Sequence, residues 1–180
     1  MECAIFDRMR YSLVVTESRR GVESKSLAEP ADWQLPFAFE NGTNQTMYRV
    51  TQEIDFCYGH RLLNYSGMCR YLHGHNGRAV IVLEGEELDE RGMLVDFTEI
   101  KQSLRTWIEE RLDHRMILCK DDPALSALQE LDEPVFVIPD NPTAENIAKL
   151  IFDQAHQEGF PVTEVSLWES TKSFATYRDV

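Results

Sequence analysis

Of the five histidines in this 180-residue chain, three fall in one short stretch: His60, His73 and His75. His73 and His75 flank Gly74. In an extended chain, residues two apart point to the same side, so two imidazoles at that spacing converge on one ion. His60 ends an upstream stretch of alternating residues that antiparallel pairing would bring alongside. Three neutral imidazoles with a fourth position open describe a catalytic zinc site, where the metal polarises a substrate oxygen or activates water. An isolated HxH pair commonly sits in solvent, so it is the clustering that makes Zn2+ the expected cofactor. His156, on a polar helix face near a glycine, reads as solvated surface.

Three further features could do chemistry. Cys69 lies four residues before His73 and next to Arg70. A thiol beside a dication and a guanidinium gains thiolate character, and could abstract a proton from a substrate or attack it; the plainer fate is a small buried hydrophobe. Asp113-His114 could form an acid–base pair in which the carboxylate fixes the imidazole tautomer, or could be a histidine favoured by a helix C-terminus. Glu169 falls in an apolar stretch, LWES, that reads as a strand. It either faces water or receives two adjacent N–H groups of a guanidine-like ring edge, as in a pterin or guanine. Cys3, Cys57 and Cys119 carry no such signal and read as structural.

These side chains need elements to position them. Tyr48, Val50, Gln52, Ile54 and Phe56 alternate with polar residues and predict a half-buried strand. Residues 77–84 (GRAVIVLE) predict a second, with HGH just before it. Ile100, Leu104, Trp107 and Ile108 predict a helix over 98–111, with Thr98 as N-cap. Thr143 predicts the N-cap of a helix whose apolar face carries Ile147, Leu150 and Ile151 and which Gly159 stops. TEVSLWES and FATYR predict two final strands, and PVFVIP a short one. The order is β–β–α–α–β–β, an α+β fold with a four-stranded antiparallel sheet and two helices packed on one face. Residues 1–46 are polar, turn-rich and without periodicity, and read as a disordered N-terminal extension to a domain spanning 47–180.

The bulk properties exclude some classes. A formal net charge of −13 argues against a nucleic-acid partner, and any phosphorylated substrate needs local basic residues. Four unpaired cysteines suit a reducing cytoplasm. No apolar run is long enough for a membrane span, and the start lacks the pattern of a signal peptide.

From Met47 to Arg178 the chain resembles the 6-pyruvoyl-tetrahydropterin / 6-carboxytetrahydropterin synthase family. FCYGHRL, CRYLHGHN, GMLVDFTEIK, LDHRMIL, NPTAENIAKLI and LWES occur in the family's order. The resemblance implies a tunnelling fold (T-fold) assembled as an oligomeric barrel, a homotrimer or homohexamer. It implies His60, His73 and His75 as zinc ligands and Cys69 as the catalytic cysteine. It implies Asp113 and His114 as a relay reaching the site from a neighbouring subunit, Glu169 as the anchor of the pterin ring and Thr143 in a segment contacting it. The CxxxHGH spacing is similar to that of the 6-carboxytetrahydropterin synthases of queuosine and deazapurine biosynthesis. Those lyases convert 7,8-dihydroneopterin triphosphate to 6-carboxy-5,6,7,8-tetrahydropterin, acetaldehyde and triphosphate. A 6-pyruvoyl-tetrahydropterin- or sepiapterin-forming enzyme and a non-catalytic pterin-binding protein are the alternatives. Arg61, Arg70, Arg78 and Lys172 are the candidates for holding triphosphate. Two departures fall near the substrate: Gly59, after Cys57-Tyr58, replaces a small Ala or Ser, and Gly77 replaces the aromatic that usually follows HGHN.

Overall fold

The computed structural model describes residues 47–179; the extension expected at 1–46 lies outside them. The first two strands form a long antiparallel ribbon. β1 (Tyr48–His60) pairs along its whole length with β2 (His73–Gly85). Ile54, Phe56 and Tyr58 on β1 and Ala79, Ile81 and Leu83 on β2 face one side and are buried. Burying each of the larger side chains contributes about 1.5–3 kcal/mol. β5 (Val162–Trp168) pairs antiparallel with β2, and β6 (Phe174–Arg178) with β5.

The expected four-stranded antiparallel sheet is thereby present, but it is extended to six strands and becomes mixed. β3 (Arg115–Cys119) runs parallel to the end of β1, and β4 (Val135–Ile138) parallel to β3, giving the order β4-β3-β1-β2-β5-β6. RMILC was not foreseen as a strand. Its last three residues are buried without alternation, the pattern of parallel strands, and so short an apolar run carries no period by which to recognise it.

Two helical layers cover the buried face. The first comprises α1 (Phe97–Ile100), a π turn over Lys101–Arg105, and α2 (Thr106–Arg111). Ile100, Leu104, Ile108 and Leu112 are all fully buried. A strict spacing of four drifts around an ordinary α-helix of 3.6 residues per turn; the wider π turn absorbs that drift and keeps the row on the core. The N-cap is Asp96, whose carboxylate accepts from the Thr98 N–H at 2.8 Å; Thr98 itself lies inside the first turn. After a short helix α3 (Leu125–Glu130), α4 (Ala144–Gln157) buries Ile147, Ala148, Ile151, Phe152 and Ala155. Thr143 caps it as expected, its hydroxyl accepting from the Asn146 N–H at 3.3 Å. Gly159, at φ +86°, ends it, a conformation that glycine adopts without strain.

One buried ion pair ties β1 to the segment after β3. Arg61 donates from Nε to Asp122 at 2.8 Å and from its terminal nitrogen to the other carboxylate oxygen. Asp122 is 4% exposed and also accepts from the Ala124 N–H. Burial alone would raise its carboxyl, but the guanidinium outweighs that and holds it below the usual carboxylate range. Asp122→Asn leaves a partly buried guanidinium without its counter-charge. It is expected to cost about 3 kcal/mol, read as a lower midpoint in chemical denaturation at pH 7. Because the folded carboxyl is depressed, this contribution is present above pH ~4 and is lost as the pH falls through the folded value. The cost of the variant should therefore shrink in acid; a cost that did not change with pH would refute this account.

Candidate active site

The ribbon register assembles the histidines. His73 and His75 lie within β2 itself, not before it, because pairing with β1 continues to its end: His60 stands opposite His73 and Tyr58 opposite His75. Opposed side chains on one face are about 5 Å apart at Cβ. All three imidazoles continue the core-facing stripe past its apolar part, so the site is the polar end of the hydrophobic core.

The ring nitrogens point inward at one another. His60 Nε2 lies 3.0 Å from His73 Nε2 and 3.2 Å from His75 Nε2. The outer nitrogens of two are committed: His60 Nδ1 donates to the Pro142 carbonyl at 2.6 Å, and His73 Nδ1 to the Tyr71 carbonyl at 2.8 Å. Those bonds fix tautomers whose Nε2 atoms carry lone pairs. Lone pairs facing each other at 3 Å repel unless a cation lies among them. A tetrahedral zinc with Zn–N bonds of about 2.0–2.1 Å requires nitrogens about 3.3 Å apart, so the donor set fits that metal. His60 is 3% exposed, and burial lowers its proton affinity, keeping it neutral. The three form a group able to hold a metal ion.

Glu169 lies beside this group. Its Oε1 accepts from the Tyr58 hydroxyl at 3.0 Å and is 3.8 Å from His60 Nε2 and 3.9 Å from His75 Nε2. Burial and the neighbouring carboxylate keep the Tyr58 phenol protonated. A cleft of about 900 Å³ runs past His75, Asn76, Trp168 and Glu169. Thr143 is half-buried and its hydroxyl is committed to the α4 cap, one residue from the Pro142 carbonyl that orients His60.

The expected catalytic trio is not assembled within one chain. Asp113 and His114 do form a pair, with His114 Nδ1 donating to Asp113 Oδ2 at 2.7 Å and His114 held at φ +54°. Such a left-handed conformation is uncommon for a non-glycine residue. Burial would raise the Asp113 carboxyl, but the Cys57 N–H, at 2.7 Å from Oδ1, and the imidazole hold it low. The thiol beside the pair is that of Cys57, with no role foreseen from sequence. Cys57 alternates to the opposite face of β1 from the histidines and contacts Asn76 Oδ1 at 3.2 Å. Cys69 sits half-buried in the turn Met68–Arg70, its carbonyl accepting from the Leu62 N–H. A second cleft, of about 600 Å³, is lined by His73, His75, Cys57 and His114 among others.

Of the basic candidates, Arg61 is consumed by Asp122, and Arg78 pairs with Glu53 and Asp55. Arg70 and Lys172 make no ion pair among the described residues, where Arg70 donates to the Tyr71 hydroxyl. Sequence inspection also missed the two carbonyls that orient the histidines, which no side-chain pattern encodes, and Tyr58, named only as the residue before the Gly59 departure.

Fold and site together define a T-fold enzyme, and the comparisons agree. The 6-pyruvoyl tetrahydropterin synthase family profile matches residues 49–180. The 6-carboxy-5,6,7,8-tetrahydropterin synthase of Rickettsia bellii is 36% identical over 135 residues, covering 71% of this chain and 98% of that protein. The enzyme of that name from Haemophilus influenzae is 28% identical over 141 residues, 74% and 100% of the two chains. A crystal structure of a Wolinella succinogenes protein aligns with TM-score 0.64 at 29% identity, over 75% of this chain and 99% of that one. The Caenorhabditis elegans 6-pyruvoyl tetrahydropterin synthase aligns at 0.57 and 21%, over 76% and 98%, which speaks to fold alone. The chain belongs to the 6-pyruvoyl tetrahydropterin synthase family. It is an enzyme of the tetrahydropterin synthase class, a lyase. No helix among the described residues is long and apolar enough to cross a membrane.

Proposed function

We infer that this chain is a zinc-dependent 6-carboxy-5,6,7,8-tetrahydropterin synthase acting on 7,8-dihydroneopterin triphosphate, as a cytoplasmic homo-oligomer. The observation that carries the metal is the convergence of three Nε2 atoms, two of them on rings whose outer nitrogens are already bonded. The product assignment rests on the CxxxHGH spacing and on the names of the curated relatives.

Bound zinc would polarise the side-chain oxygens of the substrate and so acidify the adjacent C–H bonds. The remaining roles fall to the protein. Glu169 anchors the pterin ring edge, receiving two N–H groups on one carboxylate. The Cys69 thiolate takes and returns protons on one side of the side chain. His114, held in one tautomer by Asp113, serves the other; the pair reaches Cys69 of the partner subunit, since in its own chain it lies beside Cys57. Thr143 supports the ring pocket through the α4 entry. Arg70 and Lys172 are the cations left to meet triphosphate. Loss of triphosphate yields a pyruvoyl side chain, and uptake of one water across its two carbonyl carbons gives the carboxylate and acetaldehyde.

The test is incubation of the zinc-loaded protein with 7,8-dihydroneopterin triphosphate, following product mass and acetaldehyde. One acetaldehyde per triphosphate is expected. Triphosphate release with no acetaldehyde would assign the enzyme to 6-pyruvoyl-tetrahydropterin or sepiapterin formation instead. No turnover of any pterin, with ring binding intact, would leave a non-catalytic pterin-binding protein.

A further inference from the structure

Gly77, one of the two departures from the family pattern, makes room for a side chain from the neighbouring strand. Tyr58 lies on β1 and Glu169 just past the end of β5, with β2 between them. On β2, Arg78 pairs with Trp168; the next residue toward the site on that strand is Gly77, on the core-facing side with Ala79 and Ile81. Neighbouring strands are about 4.8 Å apart, so a β1 side chain reaches a β5 side chain only if nothing stands up from β2 on the way. Gly77 provides that gap. A Cβ placed on it would lie 2.8 Å from Tyr58 Cε1, closer than packed atoms tolerate. The tyrosine ring crosses the gap and its hydroxyl donates to Glu169 Oε1 at 3.0 Å. The ring is held from three sides, stacked on Phe56 at 5.3 Å and lying 5.4 Å from His60 and 5.7 Å from His75 between centroids. Tyr58 is 3% exposed.

We propose that Tyr58, laid across Gly77, is a positioning residue for the pterin-binding carboxylate: it fixes Oε1 of Glu169 on the histidine side of the pocket and so sets where the substrate's ring docks relative to the metal. This rests on the reading of Glu169 as the ring anchor. The hydroxyl occupies the oxygen nearest His60 and His75, while Oε2 accepts no hydrogen bond among the described residues. A carboxylate pinned at one oxygen loses its freedom to rotate and presents the ring edge with one orientation, which lowers the cost of ordering it on binding.

The test uses the full-length zinc-loaded protein and unsubstituted pterin, which has the ring edge but no side chain to bind metal. Glu169→Gln is the control for the ring anchor. Tyr58→Phe keeps the ring and removes the hydroxyl. It should weaken pterin binding about tenfold, the scale of one hydrogen bond to a charged group. It should raise KM for the triphosphate substrate by a similar factor and change kcat much less, with zinc content and melting midpoint close to the parent's. Gly77→Ala should produce the same loss by pushing the ring aside, and the double variant should lose little beyond either single one, because both act through one contact. If Glu169→Gln weakens pterin binding and Tyr58→Phe does not, the positioning role falls while the ring-anchor reading stands. If Glu169→Gln binds pterin as the parent does, the ring-anchor reading itself falls. Additive losses at 58 and 77 would overturn the shared contact. If Tyr58→Phe proves unstable, Gly77→Ala alone decides, since unweakened pterin binding there also overturns the proposal.

Discussion

Replacing His73 by alanine is expected to strip the bound metal and to lower turnover by at least three orders of magnitude, on the order of 4 kcal/mol of transition-state stabilisation. His73 is the cleanest ligand to remove. It is half-exposed, whereas His60 is buried and bonded to Pro142. Among the described residues its one hydrogen bond outside the histidine group is to the Tyr71 carbonyl in the adjoining loop. Two imidazoles would remain, too few for a catalytic zinc site. Metal content after dialysis and turnover under saturating substrate check this together. The metal-free variant should melt no lower than metal-free parent, because removing one of three facing lone pairs relieves repulsion as well as costing a contact. Stoichiometric zinc in purified His73→Ala would refute the ligand assignment.

Cys69→Ala and His114→Ala are each expected to lose about 10²–10⁴ in kcat while keeping zinc, since neither side chain belongs to the histidine group. The more discriminating result comes from mixing them. If each site takes its thiol from one subunit and its imidazole from the next, subunit exchange between the two inactive variants restores about a quarter of the sites, one half for each intact residue. Mixing Cys69→Ala with His73→Ala gives the contrasting control, because both defects lie in the same chain's half of the site. Restored activity for the first mixture and none for the second is the expected pattern. Absence of restoration after demonstrated subunit exchange would mean that the relay serves its own chain, where Cys57 is the thiol within reach.

The chemistry was legible in the sequence farther than the architecture. The first strand, the Thr143 cap and the histidine cluster could all be read because each depends on local spacing: period two, a hydroxyl three residues before its partner N–H, and two histidines flanking a glycine. What escaped depends on distant pairing. His73, Gly74 and Asn76 are poor strand formers, and they are extended because β1 pairs with them rather than through any propensity of their own. β3 and β4 owe their existence to parallel pairing at the edge of the ribbon, a relation between segments far apart in the chain. Cys57 looked inert because alternation shows only which face a residue takes, and the chain segment bearing Asp113 and His114 returns to that face from beyond α2.

The crossing of Gly77 by Tyr58 also constrains the order in which this site could have changed. An aromatic on β2 at position 77 and one on β1 at position 58 would claim the same volume, so the two states exclude each other. A lineage passing from one to the other cannot gain the tyrosine first without a clash, and it opens a cavity if it loses the β2 aromatic first. The passable route runs through the smaller defect, a temporarily underfilled pocket costing a few kcal/mol, which the second substitution then repairs while bringing a hydroxyl the earlier arrangement lacked. Reversion meets the same obstacle: once the tyrosine is in place, a bulky side chain at position 77 would have to displace its ring. The sizes of the side chains at the two positions are therefore coupled, and a bulky residue at one calls for a small one at the other.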